Sequence, residues 1–158
     1  MLQSLYEDYL YNEWRNTMEN LGFSILCFVI CYVVVTLVGI THTVFNIRVL
    51  KMSAMDENSM GEGYEKTKPW HPLYNIILFP LFGWLYLNNL SNPSFYEALI
   101  TGAIWLGITI VIDLFGWVIM KHPWSLTFNE FYIKYQPWIT LIYISILIGP
   151  VIGYFFVI

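Results

Sequence analysis

Apolar residues gather into four long runs, Leu21 to Phe45, Pro72 to Leu90, Glu97 to Met120 and Pro137 to Ile158, separated by polar connections. Each run approaches the roughly 20 residues a helix needs to cross about 30 Å of hydrocarbon. Backbone inside lipid must satisfy its own hydrogen bonds, which leaves helices or closed barrels, and the period-2 alternation of barrel strands is absent. The pattern predicts an all-α integral membrane protein. It forms a single membrane domain with four transmembrane helices, over 21–45, 72–90, 97–120 and 137–158.

The flanking segments carry their own signals. In residues 1–20, Leu2, Leu5, Tyr6, Tyr9, Leu10, Trp14 and Met18 recur at helical spacing, with Glu7, Asp8 and Arg15 left for the other face. This predicts an aromatic-rich helix at the outer interface that bends into the first span. Its acidic start is unlike a cleaved secretory signal, which opens on basic residues. Residues 46–71 read as a cytoplasmic loop, polar and glycine-bearing between Lys51 and Lys68. Within 121–136, Thr127-x-x-Glu130 is a capping box, with Leu126 and Phe131 placed as its hydrophobic staple. Phe128, Phe131, Tyr132 and Tyr135 then form an aromatic stripe, which predicts a short helix lying flat on the inner membrane surface. The alternative is a segment lining a cavity.

A repeat runs through the chain. Glu62-x-Tyr64-x-Lys66-x-x-Pro69-Trp70 reappears as Glu130-x-Tyr132-x-Lys134-x-x-Pro137-Trp138, an offset of 68 residues, and Gly39-Ile40-Thr41 falls on Gly107-Ile108-Thr109 in the same register. The expectation is two parallel two-helix repeats related by an axis along the membrane normal. Pro80-x-x-Gly83 and Pro150-x-x-Gly153 echo one another at an offset of 70.

Composition agrees with burial in lipid. The 158 residues are 58% apolar and 11% charged, against about a quarter charged in soluble domains. Of seven Lys and Arg, Arg48, Lys51, Lys66, Lys68, Lys121 and Lys134 fall in the two long connections, and Arg15 alone on the other side. The positive-inside rule then puts those connections in the cytoplasm and both termini outside, in a plasma, or inner, membrane. Basic clustering is too thin for nucleic acid.

Motifs for phosphate cradles, zincins, hydrolase elbows and thioredoxin-like redox pairs are absent. Cys27 and Cys31 share a face of the first span without further ligands, so they read as apolar filler, and neither a metal nor a cofactor is expected. The candidate polar site is His42 with Asp113. The repeat puts Asp113 level with Phe45, about one turn from His42, with Thr109 beside Asp113 and Thr41 and Asn46 flanking His42. An ionisable pair inside a membrane is a candidate proton or ligand site, or a clasp between helices. Trp70, Trp124, Trp138, His71 and His122 read as interface anchors. Gly102, Gly107, Gly149 and Gly153 lie in small-x-x-x-small patterns suited to close helix contacts.

Three functions follow as expectations. The abundance of packing motifs favours a structural or accessory membrane subunit, acting through the bilayer and through those glycines on a second copy or another membrane protein. The alternative is a small dimeric proton-coupled transporter using His42 and Asp113. A membrane enzyme acting on lipid is the third, supported only by the cytoplasmic His and Asp residues, so enzymatic activity is not favoured.

Overall fold

The structure, a computed structural model, describes residues 2–54, 60–122 and 125–157, with side chains from Asn20 onward. All regular structure among them is helical. The first helix, α1 (Leu2–Arg48), is followed by a short α2 (Glu62–Thr67), which passes through a 3-10 turn (Lys68–Trp70) into α3 (His71–Leu87). A tight connection leads to α4 (Phe95–Asp113), whose axis continues as a π-helical stretch (Leu114–Ile119). A second π turn (Asn129–Ile133) precedes α5 (Trp138–Tyr154). Two segments, Asn20–Arg48 and Phe95–Ile119, are long and apolar enough to cross a membrane; α5 is a shorter apolar helix.

Local chemistry accounts for the helix boundaries. Ser94 caps α4 by accepting from the Glu97 backbone N–H at 3.1 Å, which starts the helix two residues before the apolar run. Gly61, at φ 71°, takes the left-handed backbone that precedes α2, a conformation in which a side chain would be strained. The Thr127 capping box is formed in full: Glu130 accepts from the Thr127 backbone N–H at 2.8 Å, and the Thr127 hydroxyl accepts from the Glu130 N–H at 3.2 Å. Those bonds favour the Glu130 carboxylate and hold it below its usual pKa range.

Where the sequence predicts an outer interfacial helix ahead of the first span, the backbone of 2–20 runs on from that span in one helix. At about 1.5 Å per residue its 47 residues reach about 70 Å, so α1 is far longer than a bilayer is thick. The aromatic positions between Leu2 and Met18 lie outside the described side chains, and Trp124 outside the described residues. The aromatic stripe after Thr127 also differs from a flat surface helix. Phe131 and Tyr135, four residues apart, share the inner side and are buried, while Phe128 is exposed.

The core is aromatic. Phe28 (α1), Phe79 (α3) and Trp105 (α4) meet with ring centroids 5.9 to 6.4 Å apart, and the Trp105 indole donates to Ser24 at 3.1 Å. The most extensive contact joins α3 to α5. A methyl group at Gly83 would stand 2.5 Å from Pro150 Cα, and one at Gly153 would stand 2.6 Å from the Pro80 carbonyl oxygen. Each proline-containing turn thus presses on the glycine of the other. Gly102 approaches Leu147 and Gly149 approaches Phe79 in the same backbone-close manner, so three of the four glycines expected to serve an outside partner pack within the chain. Only Gly107 stands open.

Candidate functional site

Asp113 closes the last turn of α4 as a 5% exposed side chain. A lone carboxylate buried in apolar surroundings costs several kcal/mol unless it is neutralised, paired or hydrogen-bonded. The partners here are phenols. Tyr32 of α1 donates to Oδ1 at 2.7 Å, and Tyr143 of α5 donates to Oδ2 at 3.1 Å. Trp117, in the π stretch after Asp113, donates its indole N–H to the Tyr32 oxygen at 3.2 Å. Four residues beyond Asp113, Trp117 lies on the same helix face and so returns to the same tyrosine.

A cavity of about 120 Å³ opens beside this network between α1, α3, α4 and α5. Its polar walls include Asp113, Thr109, Thr36, Thr43, Asn75 and His71; Tyr32, Tyr64, Trp117, Phe131 and Tyr135 give it aromatic ones. The His71 Nδ1 is hydrogen-bonded to the Tyr135 hydroxyl, while its Nε2 is buried with no hydrogen-bond partner among the described residues. The Nε2 edge faces Gly39, where a methyl group would come within 2.9 Å of it. Glycine at 39 therefore makes the room the imidazole occupies. Burial keeps the Tyr64 and Tyr135 hydroxyls well above the usual tyrosine pKa, so both stay protonated.

Lys68 stands beside the cavity without lining it. The side chain is almost fully buried, with its ammonium 2.6 Å from Glu65 and lying over the Tyr64 and Tyr135 rings at 5.6 and 5.5 Å. A buried lysine is stable only when paired, and here one carboxylate and two ring faces serve it.

The residues expected from the sequence divide into three groups. Asp113 and Thr109 line the cavity together. Asn46 is buried and donates to the Gly63 carbonyl at 3.1 Å and to Thr67 at 3.0 Å, which ties α2 to the end of α1. His42 and Thr41 face a shallow groove on the outside of α1 beside Phe45, where His42 is hydrogen-bonded to the Tyr74 hydroxyl and packs edge-on against Trp70. No described hydrogen bond or ion pair joins His42 to Asp113. Of the anchors, Trp70 is half exposed, His122 donates to the Gly116 carbonyl at 2.9 Å, and Trp138 is partly buried. His71 lies inside the site and not at its rim.

Tyr32, Tyr143, Asn75 and the buried role of His71 were not singled out by sequence reasoning. The signal for the tyrosines was Asp113 itself, because a carboxyl in an apolar span requires donors from neighbouring spans. Asn75, one turn after His71, was a second polar residue on the same helix face. No protein-family model matches the chain, and neither does any curated protein or solved structure.

Proposed function

We propose that this chain is a four-span membrane protein that binds a small polar solute in the cavity beside Asp113, as a carrier of the proton-linked kind. The observation that carries the reading is the cavity itself, a space of about 120 Å³ lined by the ionisable Asp113 together with Thr109, Thr36 and Asn75. A clasp made only to hold helices together would satisfy its own polar atoms, and Asp113 with Tyr32 and Tyr143 already does so. The adjoining space goes beyond that need. An accessory role through helix contacts loses part of its support, because Gly102, Gly149 and Gly153 are closed against helices of the same chain.

Within this reading the spans are 21–45, 72–90, 97–120 and 137–158, with the cavity toward the cytoplasmic ends. The reciprocal contacts of Gly83 with Pro150 and Gly153 with Pro80 suit a two-fold relation between α3 and α5, at an offset of 70 residues and not the 68 of the Pro-Trp repeat. Cysteines placed at Ala54 and Ser91 are expected to react with a membrane-impermeant maleimide from opposite faces, Ala54 from the cytoplasmic one. Reaction of both from the same face would end the four-span topology.

The site is tested through the Asp113 carboxyl. In lipid nanodiscs its infrared band, identified by its loss in Asp113→Asn, should shift on transfer to D2O and respond to the pH of the medium. Asp113→Asn should keep the helix content, because an amide preserves shape and polarity. A carboxyl band indifferent to both solvent changes would mean a sealed clasp, and the proposal would fall.

A further inference from the structure

We infer that the cavity ligand is a small primary ammonium ion, held by the Asp113 carboxylate against aromatic walls. The inference rests on the solute-binding reading above and gives that site its chemical class. Among the described residues no Lys or Arg lines the cavity, and the neighbouring Lys68 is paired with Glu65, whereas the Asp113 carboxylate lines it, so an anion would meet net repulsion. The carboxylate already accepts one hydroxyl on each oxygen and retains lone pairs, so it still calls for a donor and offers none. An ammonium group brings three N–H donors and a positive charge, and it satisfies that carboxylate.

The walls suit the same guest. Tyr64 and Tyr135 line the cavity, and these two rings already carry the Lys68 ammonium at cation–π distance. The chain thus uses these aromatics for an alkylammonium of its own beside the space proposed for a free one. Size limits the guest: a 150 Å³ apolar cavity accommodates benzene, so about 120 Å³ admits about five non-hydrogen atoms. Ile139, Ile142 and Ile146 would receive its alkyl part.

The test is calorimetric titration of the protein in lipid nanodiscs with n-butylammonium, n-butanol and butyrate, against empty nanodiscs. Butylammonium is expected to bind saturably with a Kd on the order of 1 mM, as the size of so small a ligand allows. The alcohol and the carboxylate should bind at least tenfold more weakly. Asp113→Asn should abolish the preference for the amine. Gly39→Ala, which leaves the charge in place and adds a methyl group to the cavity wall against the His71 ring, should weaken amine binding several-fold; it decides the matter alone if Asp113→Asn does not fold.

Equal binding of butanol, preference for butyrate, or amine binding unchanged in both variants would overturn the ammonium assignment. If the Asp113 carboxyl band still answers to solvent in those cases, the site stands and only its ligand class is wrong. If the band is silent as well, the site reading fails with it.

Discussion

Trp105→Ala is expected to destabilise the protein by about 3 kcal/mol, the low end of the range for removing a buried aromatic. The side chain is fully buried, touches Phe28 and Phe79, and donates to Ser24. In a bilayer the separated helices are also in apolar surroundings, so transfer from water adds little to the loss. What remains is the cavity left among unyielding neighbours and the dispersion contacts that go with it. Ser24 would also lose its buried donor. Unfolding in mixed micelles of rising SDS fraction measures the change, with Ile77→Ala as control, since Ile77 is 66% exposed on the outer face of α3. A loss below about 1 kcal/mol at Trp105, or one equal to that of Ile77, would show that the three aromatics do not form a packed centre.

The same substitution at two glycines of α4 is expected to act with opposite sign. At Gly102 a methyl group would lie 2.0 Å from the Leu147 carbonyl oxygen and 3.0 Å from its carbon, both backbone atoms of α5. Neither can rotate away, so the helices must part, and overpacking of this kind costs about 3 kcal/mol at its upper end. Alanine recovers about 1 kcal/mol through its helix propensity, leaving a net loss of about 2 kcal/mol. At Gly107 nothing lies within 4 Å, the propensity term acts alone, and Gly107→Ala should stabilise by up to about 1 kcal/mol. The pair is read in the same unfolding assay. Two losses of similar size would mean that Gly107 also faces a close neighbour, and two gains would mean that α4 and α5 are not in backbone contact.

The helical class and the approximate helix positions were legible because long apolar runs leave few alternatives. The capping box at Thr127 was equally legible, since its bonds join residues three apart. The site was legible at Asp113 and not at its partners. Pairing His42 with Asp113 rested on equal depth, and depth says nothing about rotation about a helix axis. His42 faces the outer groove of α1, while Tyr32 on the same helix reaches the carboxylate. Trp117, four residues after Asp113, shares its helix face, but spacing along α4 does not show that Tyr32 of α1 meets both. The glycines show a similar limit: their spacing marked close contacts but could not say whether the neighbour belonged to the same chain.

The interlocked prolines and glycines of α3 and α5 bear on how the molecule could move. Backbones in direct contact, each notched into the other, have no side-chain layer to slide over, so the two helices form a fixed spine. α4 is notched against α5 in the same way at Gly102, whereas α1 touches α4 sparingly and flanks the cavity from the other side. If the proposed cavity admits a solute between α1 and α4, the hydrogen bond from Tyr32 to Asp113 is the contact that must break first.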